Sequence, residues 1–141
     1  MKKIFLTIFV LALWFNVFSQ QADSKLYDIY TIDQIEHYRK INPKSIDYLN
    51  FYVNNVAMVA TIPDKPFNHQ QLFKIDQKTG ENISDEITEA DLIDFNPYLY
   101  NCKSKNEKYS YYIAGDTGKM IIMRSTQEMA RRYRQYQKNN K

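Results

Sequence analysis

Residues 109–124 read YSYYIAGDTGKMIIMR, and this stretch decides the fold. Two runs of aromatic and aliphatic residues flank Gly115-Asp116-Thr117-Gly118, which has a glycine at each end. Two strand-like runs separated by a few residues that include glycine are typical of a β-hairpin. We therefore predict two antiparallel strands, over 108–114 and 119–124.

Helix-start signals stand on both sides of the hairpin. A capping box, in which Ser or Thr is followed three residues later by Glu or Gln, occurs at Thr31–Gln34 and again at Ser125–Glu128. Apolar residues continue at helical spacing as far as Ile41, and Pro43 suits the first turn of a second helix. The sequence thus predicts two helices before the hairpin and one helix after it.

The middle of the chain is predicted to add shorter elements. Strand-like runs occur at 56–62, 72–75 and 98–102, and Thr88–Asp91 opens a short helix. The order of elements lacks the regular strand–helix alternation that builds a parallel sheet. The predicted fold class is therefore α+β: an antiparallel sheet of about five strands with N-terminal helices, a short middle helix and a C-terminal helix packed on one face.

The N-terminus has the pattern of a secretory signal peptide. Lys2-Lys3 precedes an apolar run over 4–15, and Val17-Phe18-Ser19 offers a cleavage site. The apolar run is shorter than the roughly 20 residues that a membrane-spanning helix needs, so we predict cleavage rather than retention as an anchor. The predicted organisation is a signal peptide over 1–19, a loosely ordered segment over 20–30 and a single α+β domain over 31–141.

The segment Trp14-Phe15-Asn16-Val17-Phe18-Ser19-Gln20 resembles the end of the signal peptides of Bacteroidota, flavobacteria especially. The Lys-, Asn-, Ile- and Tyr-rich body is similar to many small exported proteins of that group. This resemblance implies a bacterium with two membranes, and hence a periplasmic protein, with the cell surface and the extracellular medium as alternatives. By analogy it also implies an accessory subunit of an envelope assembly, such as the type IX secretion and gliding machinery. The resemblance rests on composition, so it assigns no functional residue.

The composition excludes several classes of function. With only 3 glycines and 4 prolines in 141 residues, the chain has no Gly-rich phosphate-binding loop and no Pro-rich or Gly/Ser-rich linker. Cys102 is the single cysteine, which excludes a disulfide within the chain, and we expect it to be a partly buried apolar residue. Without the two lysines of the signal peptide the formal net charge falls from +3 to +1. We therefore expect no binding to nucleic acid, and membrane association only through a partner.

The sequence contains no catalytic or metal-binding motif. The two histidines, His37 and His69, have no metal-ligand spacing between them, and we expect both to lie at the surface. No serine stands in a Gly-x-Ser-x-Gly context. We therefore predict no catalytic residue, no cofactor and no metal site, and we expect that the protein is not an enzyme.

An acidic segment is the first candidate docking surface. Residues 76–94 contain seven carboxylates, Glu89 and Asp91 among them, and a single lysine, which gives a net charge of −6. The positions of Lys78 and Gly80 exclude an EF-hand calcium site. A carboxylate pair for glycoside hydrolysis and a solvated helix start remain alternatives.

The C-terminal helix is the basic counterpart of this segment. Residues 124–141 carry six basic residues and one carboxylate, which gives a net charge of +5. Arg131, Arg132 and Arg134 stand among tyrosines, an arrangement that suits a docking surface for a partner. Cations near a helix C-terminus also stabilise the helix without any ligand, so a solvated helix face is the alternative.

Tyrosine is the least ordinary feature of the composition, with 12 residues. Alternation along a strand places Tyr98 with Tyr100 on one face and Tyr109 with Tyr111 on one face, while Tyr112 points to the opposite side. Tyrosine combines a large apolar ring with a hydroxyl group, which favours protein interfaces, and the ring also stacks on sugars. These first four tyrosines are interface candidates, unless they simply cover a small sheet.

Three functional hypotheses follow from these features. The leading one is a non-catalytic periplasmic interaction domain, an accessory subunit that docks onto a larger envelope protein through its tyrosines and charged segments. A glycan- or peptidoglycan-binding module that uses tyrosine stacking is the first alternative. A small hydrolase that uses acidic residues is the second.

Overall fold

The computed structural model describes residues 22–140, so the predicted signal peptide lies outside the described residues. The fold is α+β, and no helix among residues 22–140 combines the length and the apolar character needed to cross a membrane. The helices are α1 (Ser24–Tyr27), α2 (Ile32–Ile41), α3 (Pro43–Asn55), α4 (Glu89–Leu92) and α5 (Thr126–Asn139), with a 3-10 turn at Pro97–Leu99. The strands are β1 (Ala57–Thr61), β2 (Gln70–Gln71), β3 (Lys74–Ile75), β4 (Asn82–Ile83), β5 (Ser110–Ile113) and β6 (Lys119–Met123).

Hydrogen bonds at the helix starts explain why the long helices begin where the sequence predicts. The Thr31 hydroxyl accepts from the Gln34 N–H at 3.2 Å, and the Gln34 side chain accepts from the Thr31 N–H at 2.8 Å, which completes a capping box. Pro43 occupies the first turn of α3. Ser125 caps α5 by accepting from the Glu128 N–H at 3.1 Å.

The main sheet has four strands in the order β1-β6-β5-β2. β6 pairs antiparallel with both β1 and β5, and the turn of the predicted hairpin uses Gly115 and Gly118 at positive φ. β2 pairs parallel with β5, because the loop at 62–69 carries the chain from one edge of the sheet to the other. β3 and β4 form a separate two-stranded hairpin. The main sheet is therefore mixed rather than wholly antiparallel.

Residues 98–102 do not form the predicted strand. The Asn96 side chain accepts from the Tyr98 N–H at 3.2 Å, and Pro97 follows Asn96, so the chain enters a 3-10 turn. Tyr100 then forms a bridge with Lys74 instead of a strand. A local side-chain cap thus overrides the alternation of aromatic residues that suggested a strand.

The predicted strand at 72–75 is divided between the two sheets. Its start adjoins β2, which pairs with β5, whereas its end is β3, which pairs with β4. Between them, the Asn101 side chain accepts from the Phe73 N–H at 2.8 Å and donates to the Gln71 carbonyl at 2.9 Å. The amide of Asn101 therefore replaces a strand partner where the chain passes from one sheet to the other.

The core lies on one face of the main sheet, which we call the core face. Tyr112, Ile121 and Met123 stand on this face and are buried in one cluster with Met129 of α5, and Phe51 of α3 packs against that cluster. The C-terminal helix therefore packs on one face of the sheet, as predicted. A second, smaller cluster joins α1, α2 and α3 through Leu26, Ile35, Ile46 and Val53.

Residues 22–30 pack more firmly than their polar composition led us to expect. Leu26 is fully buried in the smaller cluster. Asn54 of α3 donates to the Asp23 carboxylate at 2.7 Å, and Asn96 donates to the Lys25 carbonyl at 2.9 Å. These bonds satisfy polar groups of the segment as it packs, so it forms α1 and not a loose connection.

Candidate interaction surface

The second face of the main sheet carries six uncharged side chains. Residues that lie directly opposite each other share a face of a sheet, and successive residues in a strand alternate between faces. The register of β1, β6 and β5 places on this second face Met58, Ala60, Tyr111, Ile113, Met120 and Ile122. We call these six residues the outer sheet face.

The outer sheet face differs from the usual second face of an antiparallel sheet, which is polar. Met120 is buried and the other five residues are half-buried, yet none of the six belongs to either core cluster of residues 22–140. Phe67, in the loop between β1 and β2, contacts Tyr111 edge-on, with ring centroids 5.8 Å apart. The face is therefore apolar and is covered in part by a loop, while the helices pack on the core face.

Tyr111 and Tyr112 stand on opposite faces of β5, as predicted. Tyr112 is buried on the core face, where its hydroxyl accepts from the Lys103 N–H at 3.0 Å. Tyr111 lies on the outer sheet face, and Tyr109, just before β5, is 40% exposed. Of the four tyrosines proposed as interface candidates, Tyr111 therefore belongs to the outer sheet face, and Tyr109 is exposed two residues before it.

Two depressions adjoin Tyr109; the first is basic, and the second is lined by two glutamates and two arginines. The first has a volume of about 260 Å³, and its lining includes Tyr109, Tyr111, His69, Lys105 and Lys108. The second has a volume of about 350 Å³, and its lining includes Tyr109, Glu107, Glu128, Arg131 and Arg134. Because Tyr109 lines both, it joins the outer sheet face to a surface that we call the basic surface, made of Lys105, Lys108, Arg131 and Arg134.

The Glu128 carboxylate holds two of the predicted arginines. It accepts hydrogen bonds from Arg131 at 2.8 and 2.9 Å and from Arg132 at 2.7 Å, and these bonds hold the pKa of Glu128 below its usual range. Of the capping box predicted at Ser125, the bond from the Glu128 N–H to the Ser125 hydroxyl forms. The reciprocal bond, from the Ser125 N–H to the Glu128 carboxylate, does not form, because that carboxylate binds the two arginines. Arg134 is exposed and has no carboxylate partner among residues 22–140.

The other two candidate tyrosines lie beside a cleft and not on an exposed sheet face, which corrects their predicted placement. Tyr100 is buried and stacks on Phe95, with ring centroids 4.6 Å apart, and burial raises its pKa to about 12. Tyr98 is half-buried against the smaller core cluster, and burial raises its pKa as well. The two side chains do not share a sheet face, because residues 97–99 form a turn.

The cleft beside these tyrosines has a volume of about 600 Å³, and Cys102 and Lys103 also line it. Cys102 is half-buried, as expected, and burial raises the pKa of its thiol to about 12. A thiol with so high a pKa stays protonated at neutral pH and is a poor nucleophile. The cleft shares Gln70 and Lys105 with the first depression beside Tyr109.

The two acidic candidates lie apart from the basic surface. Asp91 accepts from the Thr88 N–H at 2.8 Å and pairs with Lys74 at 3.0 Å; the bond from the Thr88 backbone is the main cause that lowers the pKa of Asp91. Glu89 is exposed in the first turn of α4. The structure thus assigns Asp91 a helix-capping contact, and its carbonyl accepts from the Tyr100 hydroxyl at 3.4 Å. Neither acidic residue lies with Tyr109 in a shared depression.

The two histidines lie at the surface, as expected. His37 is exposed in α2, and the exposed His69 has its Nδ1 atom 3.0 Å from the Phe67 carbonyl oxygen. Within residues 22–140, no group of three or more His, Cys, Asp or Glu side chains is placed to hold a metal ion.

Asp47 is a structural residue that the sequence patterns did not reveal. Its carboxylate accepts from the Tyr133 hydroxyl at 2.7 Å and from the Tyr136 hydroxyl at 3.2 Å. Phe51, one helical turn after Asp47, contacts both tyrosine rings. The tyrosines that stand among the arginines of α5 therefore fasten α5 to α3, and Arg134 remains exposed.

The apolar residues of the outer sheet face did leave a signal in the sequence. Met120-Ile121-Ile122-Met123 is a continuous apolar run, and such a run in a strand indicates that both faces are covered. The alternation of residues along a strand indicated Tyr109 and Tyr111. It did not indicate Met58, because the face on which Met58 stands depends on the pairing of β1 with β6.

Comparison with known proteins gives no guide to this surface. The chain matches no protein-family model, and searches of curated proteins and of solved structures return no match. The function is therefore inferred from the geometry and chemistry of the surface itself.

Proposed function

We propose that this chain is a non-catalytic, exported interaction domain of the periplasm that binds a larger envelope protein through the outer sheet face and the basic surface. The main observation behind this proposal is the apolar character of the outer sheet face. Its six uncharged side chains stand on the face that an antiparallel sheet normally presents to water. A contiguous apolar patch with polar groups at its rim is typical of a protein interaction site.

The residue types on this surface support a protein partner. Tyrosine and methionine are enriched at protein interfaces, and the surface contains Tyr109, Tyr111 and Met58. Covering the exposed parts of these side chains removes apolar area from water, which favours association without a change in the fold. A single apolar residue at the surface needs no explanation, whereas five half-buried residues on one face do.

The basic surface indicates what kind of partner fits. Lys105, Lys108 and Arg134 have no carboxylate partner among residues 22–140, and Tyr109 places them beside the apolar face. The complementary surface is an apolar patch flanked by Asp or Glu side chains. Such charge complementarity orients the partner and speeds association, while apolar contact provides most of the affinity.

A charge placed in the outer sheet face tests the proposal. The tagged protein is exported with its own N-terminal segment and recovered from solubilised membranes. We expect Ile122→Asp to lose an envelope protein that the wild-type protein brings down, because the new carboxylate must be desolvated at the interface. Ile93→Asp is the matched control, since Ile93 is 77% exposed and lies outside this surface, and we expect it to retain the partner.

The recovered partner is then purified, and its affinity is measured with each variant. We expect Ile122→Asp to weaken binding about tenfold or more. Replacement of Lys108 and Arg134 by Gln is expected to slow association at low salt and to have less effect at high salt. Recovery of the wild-type protein only as a free monomer, or a partner that both isoleucine variants retain equally, contradicts the proposal.

One observation favours a second candidate, a glycan-binding module. The exposed ring of Tyr109 stands in the first depression beside the side-chain amides of Asn68 and Gln70, a combination that suits a sugar. Retention on insoluble peptidoglycan or other glycans supports this candidate if Tyr109→Ala abolishes it and Ile122→Asp does not. Absence of retention, or retention that Tyr109→Ala leaves unchanged, contradicts it.

A further inference from the structure

β1 has one edge that no strand of residues 22–140 covers. On its other edge, the Arg124 N–H donates to the Val56 carbonyl at 2.8 Å, and the Ile62 N–H donates to the Gly118 carbonyl at 3.2 Å. Backbone groups of an antiparallel strand point alternately towards and away from the neighbouring strand. The backbone N–H and C=O groups of the even-numbered residues of β1 therefore point towards β6. Those of the odd-numbered residues point outward, away from the sheet.

The outward groups belong to Ala57, Val59 and Thr61, and the sequence of β1 does not protect them. The strand reads AMVAT, with no charged residue and no proline. Natural edge strands are protected by such residues or by being short, because an unprotected edge pairs with another strand. The opposite edge, β2, is protected in this way, since it has two residues. Val59 is 44% exposed although it stands on the core face.

We propose that β1 pairs antiparallel with β1 of a second copy of this chain, around a two-fold axis at Val59. The outward groups are symmetric about Val59, so Val59 stands opposite Val59 of the second copy, and Ala57 stands opposite Thr61 of the second copy. Each of these pairs exchanges two backbone hydrogen bonds. A contact of this kind uses the same surface on both copies, so it closes as a dimer and does not propagate into a fibre.

The side chains near the axis fit this arrangement. Val59 meets its own counterpart on the core face, and Met58 stands opposite Ala60 of the second copy on the outer sheet face, so no like charges oppose each other. The two main sheets of four strands become one sheet of eight strands, and the two outer sheet faces become continuous. This inference goes beyond the proposed function, because the edge of β1 is not the surface that receives the envelope protein.

The affinity of this dimer is expected to be modest. A standard stable interface buries about 1,600 Å² in total, which is more than the pairing of two five-residue strands provides. We therefore expect a dimer whose population rises with protein concentration in the micromolar range, and not an obligate dimer.

A charge swap at the axis tests the pairing. The protein is purified after export, and its mass is measured by analytical ultracentrifugation across a concentration series. We expect the mass of the wild-type protein to rise towards twice that of one chain. Val59→Lys and Val59→Asp each place like charges opposite each other, so each variant alone is expected to stay monomeric, whereas their equimolar mixture regains the dimer.

Recovery of the dimer in the mixture also shows that both variants are folded. Ile93→Lys, at another exposed aliphatic residue, is the matched control and is expected to dimerise like the wild-type protein. A wild-type protein that stays monomeric throughout the series overturns the inference, as does a dimer that each Val59 variant retains or a mixture that remains monomeric. A wild-type protein that brings down no envelope partner but still dimerises overturns the proposed function alone.

Discussion

The two faces of the main sheet are built from similar residues that have different surroundings. Ile121 and Ile122 are neighbours in β6, but Ile121 is fully buried on the core face and Ile122 is half-buried on the outer sheet face. In β5, Tyr112 is buried and hydrogen-bonded, whereas Tyr111 contacts Phe67 of a loop. Residue type therefore does not distinguish a core from an interaction surface, whereas position relative to the helices does.

This difference separates the residues that stabilise the fold from those available for binding. Met129 and Phe51 bring the apolar sides of α5 and α3 to the core face. The outer sheet face keeps its apolar character although neither helix covers it. Apolar side chains that add little to the core remain available to a partner. We therefore expect substitutions on the core face mainly to lower stability, and substitutions on the outer sheet face mainly to weaken binding.

The largest difference is expected between the two isoleucines of β6. Ile121→Ala removes fully buried methyl groups and leaves a cavity, so we expect it to lower the free energy of unfolding by about 2–5 kcal/mol. Ile122→Ala removes a half-buried side chain whose place solvent can fill, so we expect a loss of about 1 kcal/mol or less. Urea denaturation followed by circular dichroism measures both losses.

Partner binding provides the converse measurement for the same two variants. We expect Ile122→Ala to weaken binding of the envelope partner, and Ile121→Ala to leave the affinity of the folded fraction unchanged. Equal losses of stability would contradict the distinction between the faces. So would a loss of binding confined to Ile121→Ala.

A smaller difference is expected between Tyr112 and Tyr111. Tyr112→Phe removes the oxygen that accepts from the Lys103 N–H, so we expect the free energy of unfolding to fall by about 1–2 kcal/mol. Tyr111→Phe keeps the ring that contacts Phe67 and removes only the hydroxyl of a half-buried residue, so we expect little change. Thermal denaturation of the two variants measures the contrast. A larger loss for Tyr111→Phe would show that the outer sheet face contributes more to folding than its packing indicates.

The hairpin and the helix starts could be predicted from the sequence because their determinants are local. Gly115 and Gly118 adopt positive φ within the turn itself. Thr31 and Ser125 cap their helices through residues three positions later. Such interactions lie within a few residues of each other, so a short sequence pattern contains both partners.

The strand at 72–75 could not be predicted correctly because its division depends on a distant side chain. Asn101 bonds to Phe73 and Gln71, which precede it by 28 and 30 residues. The error at 98–102 has a different cause. Tyr98 and Tyr100 alternate as in a strand, but the cap supplied by Asn96 determines the local backbone.

The candidate surface could be predicted only where it depends on alternation within one strand. Tyr109 and Tyr111 could be assigned in this way, whereas the face of Met58 depends on its pairing with Ile122. The role of the α5 tyrosines also required the structure, because Asp47 precedes Tyr133 by 86 residues. Local patterns therefore indicated some of the residues at the surface but not the apolar face to which they belong.

The smallest effect is expected at Glu128, in the second depression beside Tyr109. Hydrogen bonds from Arg131 and Arg132 hold the pKa of Glu128 in the folded state below its usual value. The resulting stabilisation is present above the unfolded-state pKa and is lost as pH falls through the folded-state pKa. We therefore expect Glu128→Gln to lower the melting temperature a little at neutral pH, and we expect the difference from the wild-type protein to vanish in acid.

Glu107→Gln is the matched control, because Glu107 is exposed and lines the same depression. We expect this control to leave the melting temperature unchanged at both pH values. Exposed ion pairs contribute little to stability, so the shift caused by Glu128→Gln should remain well below that caused by Ile121→Ala. If Glu128→Gln lowered the melting temperature as much as Ile121→Ala, the distinction between folding and binding residues would be wrong. The basic surface that we assign to binding would then contribute a large share of the folding free energy.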